Sequence, residues 1–94
     1  MATYLMFGNY SIDAIKEISA KRTEKAHALI EKYGGKVVAG YALLGKTDLV
    51  LVIEFENNTQ AMKTSVALSR LLGISFTTAP ALSFEAFDAL MDDL

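Results

Sequence analysis

The run Leu49-Val50-Leu51-Val52-Ile53-Glu54-Phe55 decides the fold. Side chains alternate between the two faces of a strand, and here neither face of the central four residues is polar. Such a strand must be covered on both sides. Glu54 stands at its end as a rim charge. Just before it, Gly45-Lys46-Thr47-Asp48 is a cluster of turn formers, with the Asp48 carboxylate placed to cap the turn. Residues 36–44 precede that turn and read as another strand. After Phe55, Asn57 with Gln60 three residues on opens a helix in the manner of a capping box. Ala61, Leu68, Leu71 and Leu72 form its main stripe, and Gly73 ends it. Met62 and Val66 lie off the stripe, and Lys63 and Arg70 are the only charges. That helix is apolar around much of its circumference and needs cover on a second flank.

Further out, residues 74–82 read as a strand. Pro80 has no N–H to give a neighbour, which assigns this strand to an edge. Ser83 then caps a short terminal helix, with Leu82 and Phe87 spaced as a hydrophobic staple. At the other end, residues 3–8 form the first strand. Ser11 is an N-cap, Tyr10 and Ile15 are spaced as a staple, and Asp13 suits the positive end of the helix dipole. Ile15, Ile18, Arg22, Ala26, Leu29 and Tyr33 share one stripe if the helix is continuous from 11 to 33. Gly34-Gly35 stops it, and Ser19-Ala20 is the point where it kinks or breaks.

The order is β-α-β-β-α-β with an added helix, over a single domain of residues 1–94. The arrangement that satisfies it is an α+β, ferredoxin-like fold: a four-stranded antiparallel sheet with two helices on one face. Right-handed crossovers put the first and third strands in the centre, giving the order 4-1-3-2. The opposite sheet face is then bare and too apolar for water. A second sheet closes it most simply through a two-fold homodimer, with higher assembly left open.

Composition narrows the function classes. The 94 residues are 52% hydrophobic and 21% charged, with no Cys and one His. That excludes a disordered chain, a disulfide scaffold, and thiolate or His-cluster metal sites; no metal and no cofactor are expected. A net charge of −2 is a poor match for a phosphate backbone, so no nucleic-acid partner is expected. No apolar run is long enough to span a bilayer and no secretory leader is evident, so no membrane role and a cytoplasmic location are expected. Only Lys46, Asp48, Glu54, Glu56, Lys63 and Arg70 carry charge between Val37 and Phe84, a sparseness that points to surface hidden against a partner chain. GxGxxG, P-loop and GxSxG patterns are all absent.

The chain resembles the GYD domain family. The likeness runs through Met1-Ala2-Thr3-Tyr4, the helix from Arg22-Thr23 to Gly34-Gly35, the stretch from Tyr41 to Phe55, and the stretch from Ala61 to Ala81. In the signature turn, here Gly45-Lys46-Thr47-Asp48, Gly and Asp are kept and Thr47 stands where the family has Tyr. The resemblance implies membership of the dimeric α/β-barrel superfamily. It implies no activity.

Four residues are candidates for a ligand site. Arg22, a cation on a buried stripe, needs a carboxylate, a carbonyl or an anionic ligand. Tyr4 and Tyr41 carry hydroxyls that either settle in the core or line a cavity and meet a small aromatic or carbonyl ligand. Thr77, with Ser75 and Thr78, gives the fourth strand a hydroxyl density that suits edge solvation or a polar pocket wall. His27 lies away from the apolar stripe and is expected in solvent, with no acid partner to make it a general base. These features fit a homodimeric binding or assembly module for a small apolar or aromatic ligand. The alternative is a cofactor-free small monooxygenase or isomerase, whose chemistry needs only a cavity and a few hydrogen-bonding groups.

Overall fold

In the computed structural model, which describes residues 1–94, the elements are β1 (Ala2–Tyr10), α1 (Ile12–Lys16), α2 (Ala20–Lys32), β2 (Lys36–Ala42), β3 (Leu49–Phe55), α3 (Asn58–Leu72), β4 (Ile74–Ala81) and α4 (Phe84–Met91). All four strands are antiparallel, in the order β2-β3-β1-β4. The all-apolar run is β3, central with β1, and the strand with Pro80 is an edge. The fold is ferredoxin-like, as the element order requires.

Register sorts the side chains. Tyr4 pairs with Ile53 and Met6 with Leu51, and this face carries the helices. Phe55, Met6, Ile30, Ile53 and Leu68 are fully buried between sheet, α2 and α3. Leu5 pairs with Val52 and Phe7 with Val50, and these point to the other face. No helix lies there. Ala39 and Tyr41 extend that face across β2, and Thr77 and Ala79 across β4. Only 14 of 94 residues are buried in a chain that is 52% hydrophobic, so much apolar surface stays open.

Capping chemistry ends each helix where the sequence indicates. Ser11, Ser19, Asn57 and Ser83 side chains each accept a first-turn backbone N–H. Gly73 closes α3 in the left-handed conformation, φ +67°. A side chain would be strained there. Gln60 departs from the capping box. Its Oε1 accepts from Glu56 N, one residue earlier than the box predicts.

The first helix corrects the continuous stripe. It breaks at Glu17–Ser19 into a five-residue α1 and the longer α2, because Ser19 adopts an extended backbone and starts a new cap. The break resets the helical phase. Ile15 and Ile18, expected inside, are 53% and 58% exposed, while Ala14, Ala26 and Ile30 are buried. Leu71 likewise falls outside the α3 core, where Thr64 takes a buried position. The Asp48 carboxylate reaches beyond its own turn: Oδ2 accepts the Tyr10 amide at 2.9 Å, and the Asp48 amide donates to Gly8 O at 2.9 Å. The turn before β3 is thus tied to the end of β1.

Candidate functional site

A cleft of about 450 Å³ opens where the helix break leaves the sheet uncovered. The joint at Ile18 and Ser19 forms one edge, and Arg22, Thr23, Ala26 and His27 of α2 form one wall. Gly40, Tyr41 and Ala42 of β2 oppose them, with Leu49 and Leu51 of β3 as the floor. Tyr10, Leu72, Ile74 and Phe76 close the far end. Ten of the fifteen lining residues are hydrophobic, so any ligand would be held chiefly by apolar contact, with hydroxyl, imidazole and guanidinium groups around the border. Gly8 lies under this end. A Cβ on it would come within 2.9 Å of both Phe76 Cε1 and Ile74 Cγ2, so only glycine lets those two side chains close over β1.

Arg22 is tied down by the fold. Nη2 donates to Leu72 O at the C-terminus of α3, and Nη1 donates to Ala14 O at 3.3 Å and to Glu17 Oε2 at 3.4 Å. Its side chain is 19% exposed, whereas Glu17 is 70% exposed. A guanidinium at the C-terminal end of α3 satisfies an orphan carbonyl and complements the helix dipole. Of the partners expected for Arg22, both carbonyls and a carboxylate, Glu17, are present. The same contacts clamp α1, α2 and α3 around the cleft.

Of the four candidates, Arg22 brings its side chain to this cleft; Tyr41 borders it at the edge strand, but its register with Val50 puts the ring on the open sheet face, 61% exposed, and the other two lie elsewhere. Tyr4 is 3% exposed, stacks edge-on against Phe55 with ring centroids 5.5 Å apart, and donates its OH to Asn58 Oδ1 at 2.6 Å. It is a core residue with a satisfied hydroxyl. Thr77 pairs with Phe7 and lies on the open sheet face, because its neighbours Phe76 and Thr78 take the helix side. Thr78 Oγ1 and Ser65 Oγ are hydrogen bonded at 2.7 Å. His27 is exposed, as expected, yet it borders the cleft. The sequence spacing marks Tyr10 only as a staple residue. Strand alternation from Tyr4 through Met6 and Gly8 was the signal that placed it on the helix side, at the cleft.

A four-stranded antiparallel sheet with helices on one face, an open apolar face on the other and a cleft at the helix break defines a ferredoxin-like α+β domain. The GYD domain model matches residues 4–91, and the chain belongs to the GYD domain family. No curated protein matches the chain. Among solved structures, the leucine response regulatory protein (LrpA) of Mycobacterium tuberculosis superposes with a TM-score of 0.58 at 10% identity, over 87% of this chain and 51% of LrpA. A second solved chain, a single-substitution mutant, gives a TM-score of 0.58 at 11% identity over 87% of this chain and 50% of its own. The chain spans about half the length of these structures, and at such identity the likeness is one of fold. No helix is long and apolar enough to cross a membrane.

Proposed function

We propose that this chain works as a cytoplasmic homodimer of the dimeric α/β-barrel kind, two sheets face to face, and holds a small apolar or aromatic molecule in the cleft beside α2. One observation carries the reading: the helix-free sheet face presents Leu5, Phe7, Val50, Val52, Ala39 and Ala79. A continuous apolar sheet face of this kind suits burial against a second sheet. The ligand reading is supported by the size and apolar lining of the cleft. An anion clamp at Arg22 is disfavoured, because its guanidinium already serves two carbonyls and a carboxylate.

Native mass spectrometry of freshly purified protein tests both halves. A dimer carrying a small extra mass is expected, and Val52→Glu should give a folded monomer. A wild-type monomer at micromolar concentration overturns the dimer. Indole serves as the probe of the cleft. Binding should be lost in Thr23→Trp, which fills the mouth from an exposed position on α2, without loss of thermal stability. Equal indole binding by the two proteins overturns the ligand site. The enzymatic alternative, a cofactor-free monooxygenase or isomerase, draws on the Tyr10 and His27 side chains around the same cleft; it requires turnover of a bound aromatic compound by protein alone.

A further inference from the structure

Every residue from 82 to 94 is exposed, and α4 buries none of its side chains. Yet α4 has a core-facing pattern. At 100° per residue, Phe84, Phe87, Leu90, Met91 and Leu94 fall within an arc of about 120°, the width of a stripe that packs on something. Glu85, Asp88 and Asp92 form a flank beside that arc, and no base occurs from Leu82 to Leu94.

A matching surface lies on α3. Met62 and Val66 are 70% and 52% exposed, and a shallow groove runs beside them, lined by Ser65, Val66, Ser69, Arg70 of α3 and Phe76 of β4. The only charges on α3 are Lys63 and Arg70, both on one flank of the Met62–Val66 stripe, and it has no acid. When two helices pack antiparallel, flanks of the same rotational sense meet. With α4 antiparallel to α3 and Phe87 over Val66, Glu85 comes to Arg70 and Asp88 to the side of Lys63. Apolar stripe meets apolar stripe, and acid meets base.

We infer that α4 is an exchanged arm: in the dimer, each copy lays its α4 into the α3–β4 groove of the other. This rests on the sheet-to-sheet dimer proposed above and adds a second contact to it. Four strands of seven to nine residues, spaced about 4.8 Å and rising about 3.3 Å per residue, give a flat projected footprint of about 490 Å², before side-chain relief is counted as accessible surface. A standard interface buries about 800 Å² of accessible surface per partner, and an exchanged helix contributes to that total beyond the sheet. Each protomer gains twice from exchange, once through its own α4 and once through its groove.

The chain has no native cysteine, so introduced thiols report alone. Val66→Cys and Phe87→Cys are made in separate chains, mixed, and oxidised with diamide, while light scattering reports the oligomeric state. The expected result is a dimer by light scattering and a Val66–Phe87 heterodisulfide at dimer mass, mapped by peptide mass spectrometry. A dimer without that heterodisulfide overturns the exchange and leaves the sheet interface standing; a monomer overturns both. With both cysteines in one chain, a disulfide closed within the monomer shows α4 folding back on its own groove and also overturns exchange. Independently, Arg70→Glu should weaken the dimer about fivefold, and Glu85→Lys in the same chain should restore it. Failure of that restoration counts against the antiparallel pairing.

Discussion

Replacing Arg22 by Met removes a charge while keeping an unbranched stem of similar reach, so the cost reports the hydrogen bonds. Three contacts are lost: Leu72 O, Ala14 O at 3.3 Å and Glu17 Oε2 at 3.4 Å. The last contributes little, since Glu17 is 70% exposed and solvent screens the pair. Hydrogen bonds from a charged donor contribute about 1.5–3 kcal/mol net when well formed. The Leu72 contact qualifies and the longer Ala14 contact adds a fraction, giving a loss of about 2 kcal/mol. For a domain of this length that is a fall in Tm of about 10 °C. Scanning calorimetry measures it, and urea unfolding with an unchanged m-value confirms that stability, not the denatured state, has moved. Glu17→Gln is the control, expected within about 0.5 kcal/mol of wild type. A drop below about 2 °C for Arg22→Met, or an equal drop for both variants, refutes the clamp.

Three further substitutions probe the frame around the site. Met6→Ala empties a fully buried position at the centre of the sheet and should cost about 2–5 kcal/mol by urea denaturation; a loss under 1 kcal/mol would mean that the core collapses around the gap. Gly73→Ala forces a side chain into the left-handed region at φ +67° and brings its Cβ 3.1 Å from Ser11 Oγ, so the urea midpoint should fall by the equivalent of about 1 kcal/mol or more. No change there would show that α3 ends without the left-handed cap. Asp48→Ala removes the acceptor of the Tyr10 amide; hydrogen exchange at Tyr10 should accelerate while exchange at Ile53 stays slow, and equal acceleration at both would point to global destabilisation.

Much of the fold was legible because the decisive signals are local. The run from Leu49 to Phe55, apolar but for Glu54, has the bounds of β3, Pro80 marks the edge, and the capping side chains of Ser11, Asn57 and Ser83 fix three helix starts. The break near Ser19 was visible, but its effect on phase was not. A helical wheel drawn through the break puts Ile15 and Ile18 inside, and the extended backbone at Ser19 turns them out. The candidate site was half legible for a related reason. Arg22 stood out as a cation among apolar neighbours. Whether a strand tyrosine faces core, cleft or open sheet depends on tertiary register: Tyr4 found Asn58, 54 positions away, and Tyr10 reached the cleft only because α1 and α2 part above it.

The two borders of the sheet carry a consequence of their own. On β2 the register slips between Val37 and Ala39, and on β4 Pro80 withholds a donor. Irregular rims of this sort are poor templates for recruiting another strand. Growth into ribbons or fibres is thereby discouraged at both margins, and copies that meet are steered towards closed, countable assemblies.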